Sequence, residues 1–366
     1  MIYRAIGIMS GSSLDGLDIA FAEFQEQGGN WTYDLLETAC YPYSKEWVAK
    51  LKEAINLSAK DYQLLHAEYG HYIGQQVNKF IDEYHLQYKI SVIASHGHTT
   101  FHIPGKKMTA QLGDGAAIAA VTQLPVVSDL RALDVAFGGQ GAPIVPIGEK
   151  MLLGDYNFFL NLGGIANISH NNPENYSAFD ICPANRVLNM LVNELGKEYD
   201  DSGQIAATGT VNNELLEKLN ALDYYKQPYP KSLANDFGTD IVYPIIKDAG
   251  IKINDAVRTY TEHIAFQISN AISTLGNQQP ATSNQKLLAT GGGAFNTFLI
   301  NRLGEMLKEL KIEVVVPAPK LVNFKEALIM AFIGVLRWRQ EYNVLSSVTG
   351  ASRDSIGGAL WTGQEA

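Results

Sequence analysis

The sequence predicts an α/β fold built twice, and three observations predict it. Strand-like and helix-like stretches alternate along 366 residues with no low-complexity segment and no Pro/Ser linker. Two glycine-tipped hairpins recur in separate halves, IGIMSGSSLDGLDIAF at residues 6–21 and FFLNLGGIANIS at 158–169. A third glycine cluster, LLATGGGAFN at 287–296, follows a strand pattern and opens a helix pattern running towards Leu310. Together they imply a duplicated fold with a cleft between its halves.

In the first hairpin the apolar runs Ile6 to Met9 and Leu17 to Phe21 flank a knot of Ser, Gly and Asp. A plain two-residue turn needs only an Asn-Gly or Asp-Gly pair. This tip holds far more, and suits a loop where backbone approaches an anion that a Cβ would obstruct. Lys45–Ile55 and Lys60–Tyr84 read as helices, the second with apolar residues at helical spacing. Ile90–Ala94 is a short strand ending in SHGHTTFH. The alternation continues through Ala116–Val121 and Val126-Val127 into the loop DLRALDVAFGGQGAPIVP. Phosphates are expected between the two hairpin tips and a nucleoside near the third cluster. Any one cluster could be an ordinary turn in a chain with 33 glycines, but three in this order are harder to dismiss. The competing nucleotide motifs, GxxxxGK(S/T) and GxGxxG after a strand, are absent.

Composition narrows the partners. Hydrophobic content of 46% with 18% charged residues describes a chain with a real core. The net charge of −10 and the lack of Lys/Arg runs argue against nucleic acid and anionic membranes, which need a basic footprint. Backbone N–H groups, a helix N-terminus and a metal ion can still give an acidic protein a phosphate site. Two cysteines, Cys40 and Cys182, make no disulfide framework. The opening MIYRAIGIM runs straight into a strand pattern, and the longest apolar run, Ala327–Leu336, is far short of the roughly 20 residues of a membrane span. A soluble, cytoplasmic protein is expected.

With these motifs the chain resembles the anhydro-N-acetylmuramic acid kinases, a branch of the actin-like, sugar kinase and heat-shock ATPase superfamily. The resemblance runs over nearly the whole chain: MSGSSLDGLD at 9–18, SHGHT at 95–99, QLGDG at 111–115, DLRALDVAFGGQGAPIVP at 129–146, NLGGIANI at 161–168, FD near 180, ATGGGAFN at 289–296, KEAL at 325–328 and VTGA at 348–351. It implies two ribonuclease-H-like domains, of the actin-like ATPase kind, around a nucleotide cleft. The first would comprise residues 1–130 plus about 340–366, the second 131–339. It implies conversion of 1,6-anhydro-N-acetylmuramic acid to N-acetylmuramic acid 6-phosphate, with ATP and Mg²⁺ as cofactors, in cell-wall sugar recycling. A homodimer is implied as well.

The same resemblance distributes roles. Asp180, in AFDICPAN, falls at the catalytic base that activates water for attack at C1, chemistry that needs a positioned acceptor. Read alone, Asp180 is equally a carboxylate ahead of a helix start. His96, Arg131 and Glu326 would bind the sugar, with Arg131 suited to the lactyl carboxylate and Asp134 as its orienter. Otherwise Arg131 and Asp134 read as a solvated loop pair and Glu326 as a first-turn helix carboxylate. Gly11, Ser12, Ser13, Leu14, Asp15, Gly16, Leu17 and Asp18 would form the first ATP phosphate loop. Gly163 and Gly164 would form the second, and Gly291, Gly292 and Gly293 the nucleoside platform. Asp15 and Asp18 are candidates to hold Mg²⁺ through water.

His96, His98 and His102 also invite a metal reading, which the absence of a nearby carboxylate in that loop disfavours. Departures from the family pattern are few. Ser12 replaces a Thr, and His98 stands where HGQT has Gln. FDICPAN replaces FDTGPGN, placing Ile181, Cys182 and Ala184 beside the base, with Cys182 expected to be a packing residue. Two alternatives stay open: a kinase of the same fold acting on another amino sugar, and a non-catalytic actin-like ATP-binding protein.

Overall fold

The structure is a computed structural model and describes every residue except 12, 173–175, 230, 235, 277–283 and 364–366. The chain divides into two compact units, Met1–Leu153 with Phe324–Ala366, and Gly154–Asn323.

The first unit is built on a six-stranded sheet. β1 (Ile2–Ser10) pairs antiparallel with β2 (Gly16–Gln27), which pairs antiparallel with β3 (Asn30–Pro42). On its other side β1 pairs parallel with β4 (Val92–Ser95), and β4 with β7 (Val126–Ser128). A small hairpin of β5 (His98–Ile103) and β6 (Met108–Leu112) stands apart from that sheet. The two faces of β1 explain its near-continuous apolar run. Ile6 and Ile8 pack with Tyr69, Ile73, Val77 and Phe80 of the helix Ala59–Glu83, which Ser58 caps by accepting from the Asp61 N–H. Gly7 faces the opposite way, where a Cβ would collide with the backbone of Ala327 and Ala331. Gly334 likewise lies so close to Ala94 that a Cβ would sit 2.7 Å from the Ala94 Cβ. The helix Pro319–Trp338 thus meets the sheet at backbone distance from Phe324 onward, and only glycine permits that approach.

The second unit repeats the scheme. β8 (Phe158–Leu162), β9 (Ile165–His170) and β10 (Ser177–Pro183) form an antiparallel meander, and β11 (Gln285–Thr290) pairs parallel with both β8 and β12 (Ile312–Val315). The order β10-β9-β8-β11-β12 matches β3-β2-β1-β4-β7 strand for strand, with β13 (Ala359–Trp361) added antiparallel beyond β7 in the first unit. This is the duplication expected of two ribonuclease-H-like domains. The apolar faces of the helices Asn185–Asn193, Ile253–Gly276 and Thr297–Leu307 close the core through Val187, Leu191, Val257, Ile264 and Leu303.

Residues 131–153 and 324–339, expected in the second domain, pack with the first unit. The helix Pro146–Leu152 carries Gly148, where a Cβ would lie 2.6 Å from Ile329, and Glu149, which is ion-paired to Lys325. Among the described residues no helix is long and apolar enough to cross a membrane.

Candidate functional site

The first glycine tip hangs between Ser10 and Leu17, which pair across β1 and β2. Asp15 Oδ1 accepts from Ser13 Oγ at 2.5 Å and from the Gly16 N–H at 3.1 Å, and Leu14 takes the left-handed conformation (φ 58°) that bends the loop. The two glycines differ. At Gly16 a Cβ would press on Cys40 Sγ (2.6 Å) and Tyr41 O (2.8 Å), so packing demands glycine. At Gly11 it would meet only Ser13, with Oγ at a tight 3.3 Å and N at 3.9 Å, so no backbone from another element crowds it. Leu17 turns its side chain fully into the core, so it offers a ligand backbone only. Ser12 lies outside the described residues.

Asp18 lies opposite Cys40 in the β2–β3 register. Burial pushes its carboxyl up to about 6; the Cys40 thiol's hydrogen bond opposes this, while the charges of Asp15 and Glu326 add to it. The charges of Asp15 and Glu326 thus act on Asp18, and a hard divalent cation, which often binds through water and one or two carboxylates, would relieve that repulsion. Asp15 and Asp18 therefore fit Mg²⁺. Glu326 is pushed up by burial, held back by Lys325 and Arg131, and raised further by Glu149.

Around Glu326 the structure gathers the other expected sugar residues of this unit. His96 is 4% exposed; its Nδ1 lies 2.8 Å from Gly97 O and its Nε2 2.8 Å from Arg131 Nε. Because Arg131 can only donate, Nε2 is the acceptor and the proton sits on Nδ1, donated to the carbonyl. Burial and the Arg131 charge hold His96 down at about 3, so it is neutral. The same geometry uses both His96 nitrogens, and among the described residues no group of three His, Cys, Asp or Glu could hold a metal. Arg131 also donates to Gly141 O at 2.8 Å, and burial lowers it to about 10 against the pull of Glu326.

Asp134 does not orient Arg131 directly. Its carboxylate, fully buried, accepts from the Gly141 N–H (2.7 Å) and from Thr349 Oγ1 (2.7 Å). It thus fixes the loop whose Gly141 carbonyl holds Arg131, and gives the VTGA motif a structural meaning. His98, also buried, joins a hydroxyl cluster: Ser10 Oγ lies 3.2 Å from His98 Nδ1 and accepts from Tyr43 (2.8 Å) and Tyr69 (2.9 Å).

In the second unit two glycine clusters meet. The Asn185 N–H donates to Gly163 O (3.1 Å), the Ala184 N–H to Gly164 O (2.8 Å), and Asn185 Nδ2 to Leu162 O (2.9 Å). A Cβ on Gly293 would sit 2.8 Å from Leu162 Cβ and 2.9 Å from Asn185 Oδ1, and one on Gly291 2.5 Å from Asn161 Oδ1. Those two glycines are needed for close packing. Gly163, Gly164 and Gly292 are not: their nearest atoms would lie at 3.5, 3.7 and 3.9 Å, and none has a left-handed φ. Glycine kept where neither packing nor dihedral requires it leaves a bare backbone surface, as a phosphate cradle needs.

Asp180 sits at a β-bulge. The β9–β10 register slips between Asp180 and Cys182, leaving Ile181 as the extra residue, a device that re-aims neighbouring side chains. The segment 231–233 then clamps the aspartate. Its N–H donates to Lys231 O (3.0 Å), its Oδ2 accepts from the Leu233 N–H (2.9 Å), and its carbonyl accepts from Tyr224 OH (2.7 Å). Oδ1 has no partner among the described residues. Burial raises the Asp180 carboxyl and the Leu233 bond moderates the rise, the profile of a proton acceptor. Ile181, Cys182 and Ala184 are all buried in the core of this unit. The FDICPAN departures are therefore packing changes behind Asp180. Sequence reasoning missed the clamp made by Tyr224, Lys231 and Leu233, because Lys231 and Leu233 act through their backbone and all three lie some 44 to 53 residues along the chain from Asp180.

The family model described as "Anhydro-N-acetylmuramic acid kinase" matches residues 3–363. A protein of that name from Francisella tularensis subsp. novicida is 33% identical over 374 residues, covering 97% of each chain. Another from Photobacterium profundum is 33% identical, covering 98% of this chain and 99% of the relative. A solved structure, the activator of the 2-hydroxyisocaproyl-CoA dehydratase from Clostridium difficile with bound ADPNP, is 14% identical, with TM-score 0.46 and coverage of 92% of this chain and 97% of that one.

Proposed function

The chain belongs to the anhydro-N-acetylmuramic acid kinase family, and we propose how its residues carry out that family's reaction. It is an ATP-using kinase acting on an anhydro amino sugar, with ring hydrolysis coupled to phosphorylation. The product is N-acetylmuramic acid 6-phosphate, made in cell-wall sugar recycling. Asp180 is the base. Its clamped Oδ2 fixes the carboxylate, and Oδ1, without a partner among the described residues, accepts a proton from water as the water oxygen bonds to C1. The C1–O6 bond breaks and its electron pair goes to O6, which takes the γ-phosphoryl group; ADP leaves. Phosphoryl capture thereby replaces the acid that would protonate the leaving oxygen in a glycosidase.

Arg131 binds the lactyl carboxylate through guanidinium N–H groups beyond those given to His96 and Gly141. His96 holds Arg131 in place, and Glu326 contacts the sugar. Bare backbone at Gly11, Gly163 and Gly164 receives phosphates, with Ser12, Ser13, Leu14, Asp15, Gly16, Leu17 and Asp18 completing the first loop. Gly291, Gly292 and Gly293 border the nucleoside. Asp15 and Asp18 would hold Mg²⁺, which when bound neutralises charge on the β- and γ-phosphates. The enzyme works as a homodimer in the cytoplasm.

The observation that carries this reading is the raised, one-sidedly clamped carboxylate of Asp180 at its bulge. The test is ATP, Mg²⁺ and 1,6-anhydro-N-acetylmuramic acid, with ADP release and sugar product followed. N-acetylmuramic acid and the Asp180→Asn enzyme run beside it. The 6-phosphate should form only from the bridged sugar, and Asp180→Asn should slow turnover by about 10²–10⁴. Equal turnover of the unbridged sugar, or an unimpaired Asn variant, would refute it.

A further inference from the structure

We propose that Arg186 binds the β- and γ-phosphates of the nucleotide at the second glycine loop. The assignment rests on reading Gly163-Gly164 as a phosphate loop. Arg186 is the second residue of the helix Asn185–Asn193, whose first turn holds no acidic residue. A cation there opposes the helix dipole. Among the described residues no carboxylate or carbonyl accepts from its side chain.

Its location is defined by Gly164. The Arg186 N–H donates to Gly164 O at 3.4 Å. The nearest atoms to a Cβ built on Gly164 would be Arg186 Nε (3.7 Å), Cβ (3.8 Å) and Nη2 (4.0 Å). The guanidinium therefore lies along the bare face of the glycine loop, with its remaining N–H groups available beside open backbone. A planar fork next to a surface free of Cβ atoms suits an anion with several oxygens that must come close. In a kinase of this family that anion is the polyphosphate of ATP. Asn185, one residue earlier, ties the loop to the third cluster through Leu162 O, so the fork is held where the chain is anchored.

The test measures binding of ATP, ADP and AMP, each with Mg²⁺, by calorimetry to wild type, Arg186→Met, Arg186→Lys and Gly164→Ala. Arg186→Met should weaken ATP and ADP about tenfold or more while AMP, which lacks the outer phosphates, changes little. Arg186→Lys should fall between, since it keeps the charge and loses the fork. It also carries the test if the Met variant fails to fold. If Gly164→Ala weakens ATP while both Arg186 variants bind like wild type, the loop reading stands and the Arg186 assignment falls. If neither the glycine nor the arginine matters, both fall. Equal weakening of ATP and AMP would also overturn it.

Discussion

Replacing Lys325 by Met should destabilise the first unit and weaken sugar binding at once. Lys325 Nζ lies 2.8 Å from Glu149 Oε1, with the two side chains 7% and 3% exposed. The pair joins the helix Pro146–Leu152 to the helix Pro319–Trp338. Lys325 is also the strongest of the influences that hold the neighbouring Glu326 carboxyl down against burial. Met keeps the length and packing of the aliphatic stem, so the loss isolates the charge. Taking the ammonium away from a buried carboxylate costs about 3–5 kcal/mol. For a unit of this size that is on the order of 10 °C in Tm. The double variant Lys325→Met/Glu149→Met removes both charges and should recover most of the loss, because apolar replacement of a buried pair is close to neutral. Thermal and urea unfolding of the wild type, both singles and the double give the coupling. In Lys325→Met the Glu326 carboxyl rises further, so it gives up its proton only at higher pH than in the wild type; sugar KM should rise, and rise less at higher pH. A single-variant loss under about 1 kcal/mol, or a double variant as unstable as the sum of the singles, would refute the reasoning.

The remaining predictions concern the base and the loops. Asp180 acts deprotonated and its carboxyl is raised, so kcat/KM should rise with pH through a limb above the ordinary aspartate range. Leu233→Pro removes the N–H that moderates the rise and should move that limb to higher pH, read from the pH–rate profile. Gly164→Ala should leave Tm unchanged and raise KM for ATP, whereas Gly293→Ala, whose Cβ meets Leu162 and Asn185, should lose about 1–3 kcal/mol in unfolding. Ser10→Ala strips the shared acceptor from the buried Tyr43 and Tyr69 hydroxyls and should cost about 1–3 kcal/mol, measured the same way.

The duplicated fold was legible because its signals are local. Apolar runs with glycine tips gave β1–β2 and β8–β9, and helical spacing gave Ala59–Glu83 within a residue of the expected Lys60–Tyr84. β3 was not legible: at the sheet edge it buries only Trp31 and Tyr41, and its largely polar, exposed run resembles a loop. The boundary between units was set by packing that leaves no local mark. Gly148 against Ile329 and Glu149 with Lys325 keep residues 131–153 and 324–339 in the first unit. The family resemblance, not residue type alone, singled out Asp180 in the second unit and Arg131 and Glu326 in the first. Their positioning came from the Ile181 bulge, the Leu233 N–H and the Asp134–Gly141 bond, which are long-range or backbone features. The position of Arg186 was hidden for the same reason, since only the fold sets it along Gly164.

The most direct test of the central claim is turnover of 1,6-anhydro-N-acetylmuramic acid with ATP in ¹⁸O-enriched water, quenched early and analysed by mass spectrometry. A control of unlabelled product in the same water corrects for exchange at C1. Water attack at C1 with phosphoryl capture at O6 predicts a 6-phosphate carrying one ¹⁸O at the C1 hydroxyl and none in the phosphate, with Asp180→Asn slowing product and label together. Label in the phosphate, or phosphorylated sugar without label at C1, would contradict it.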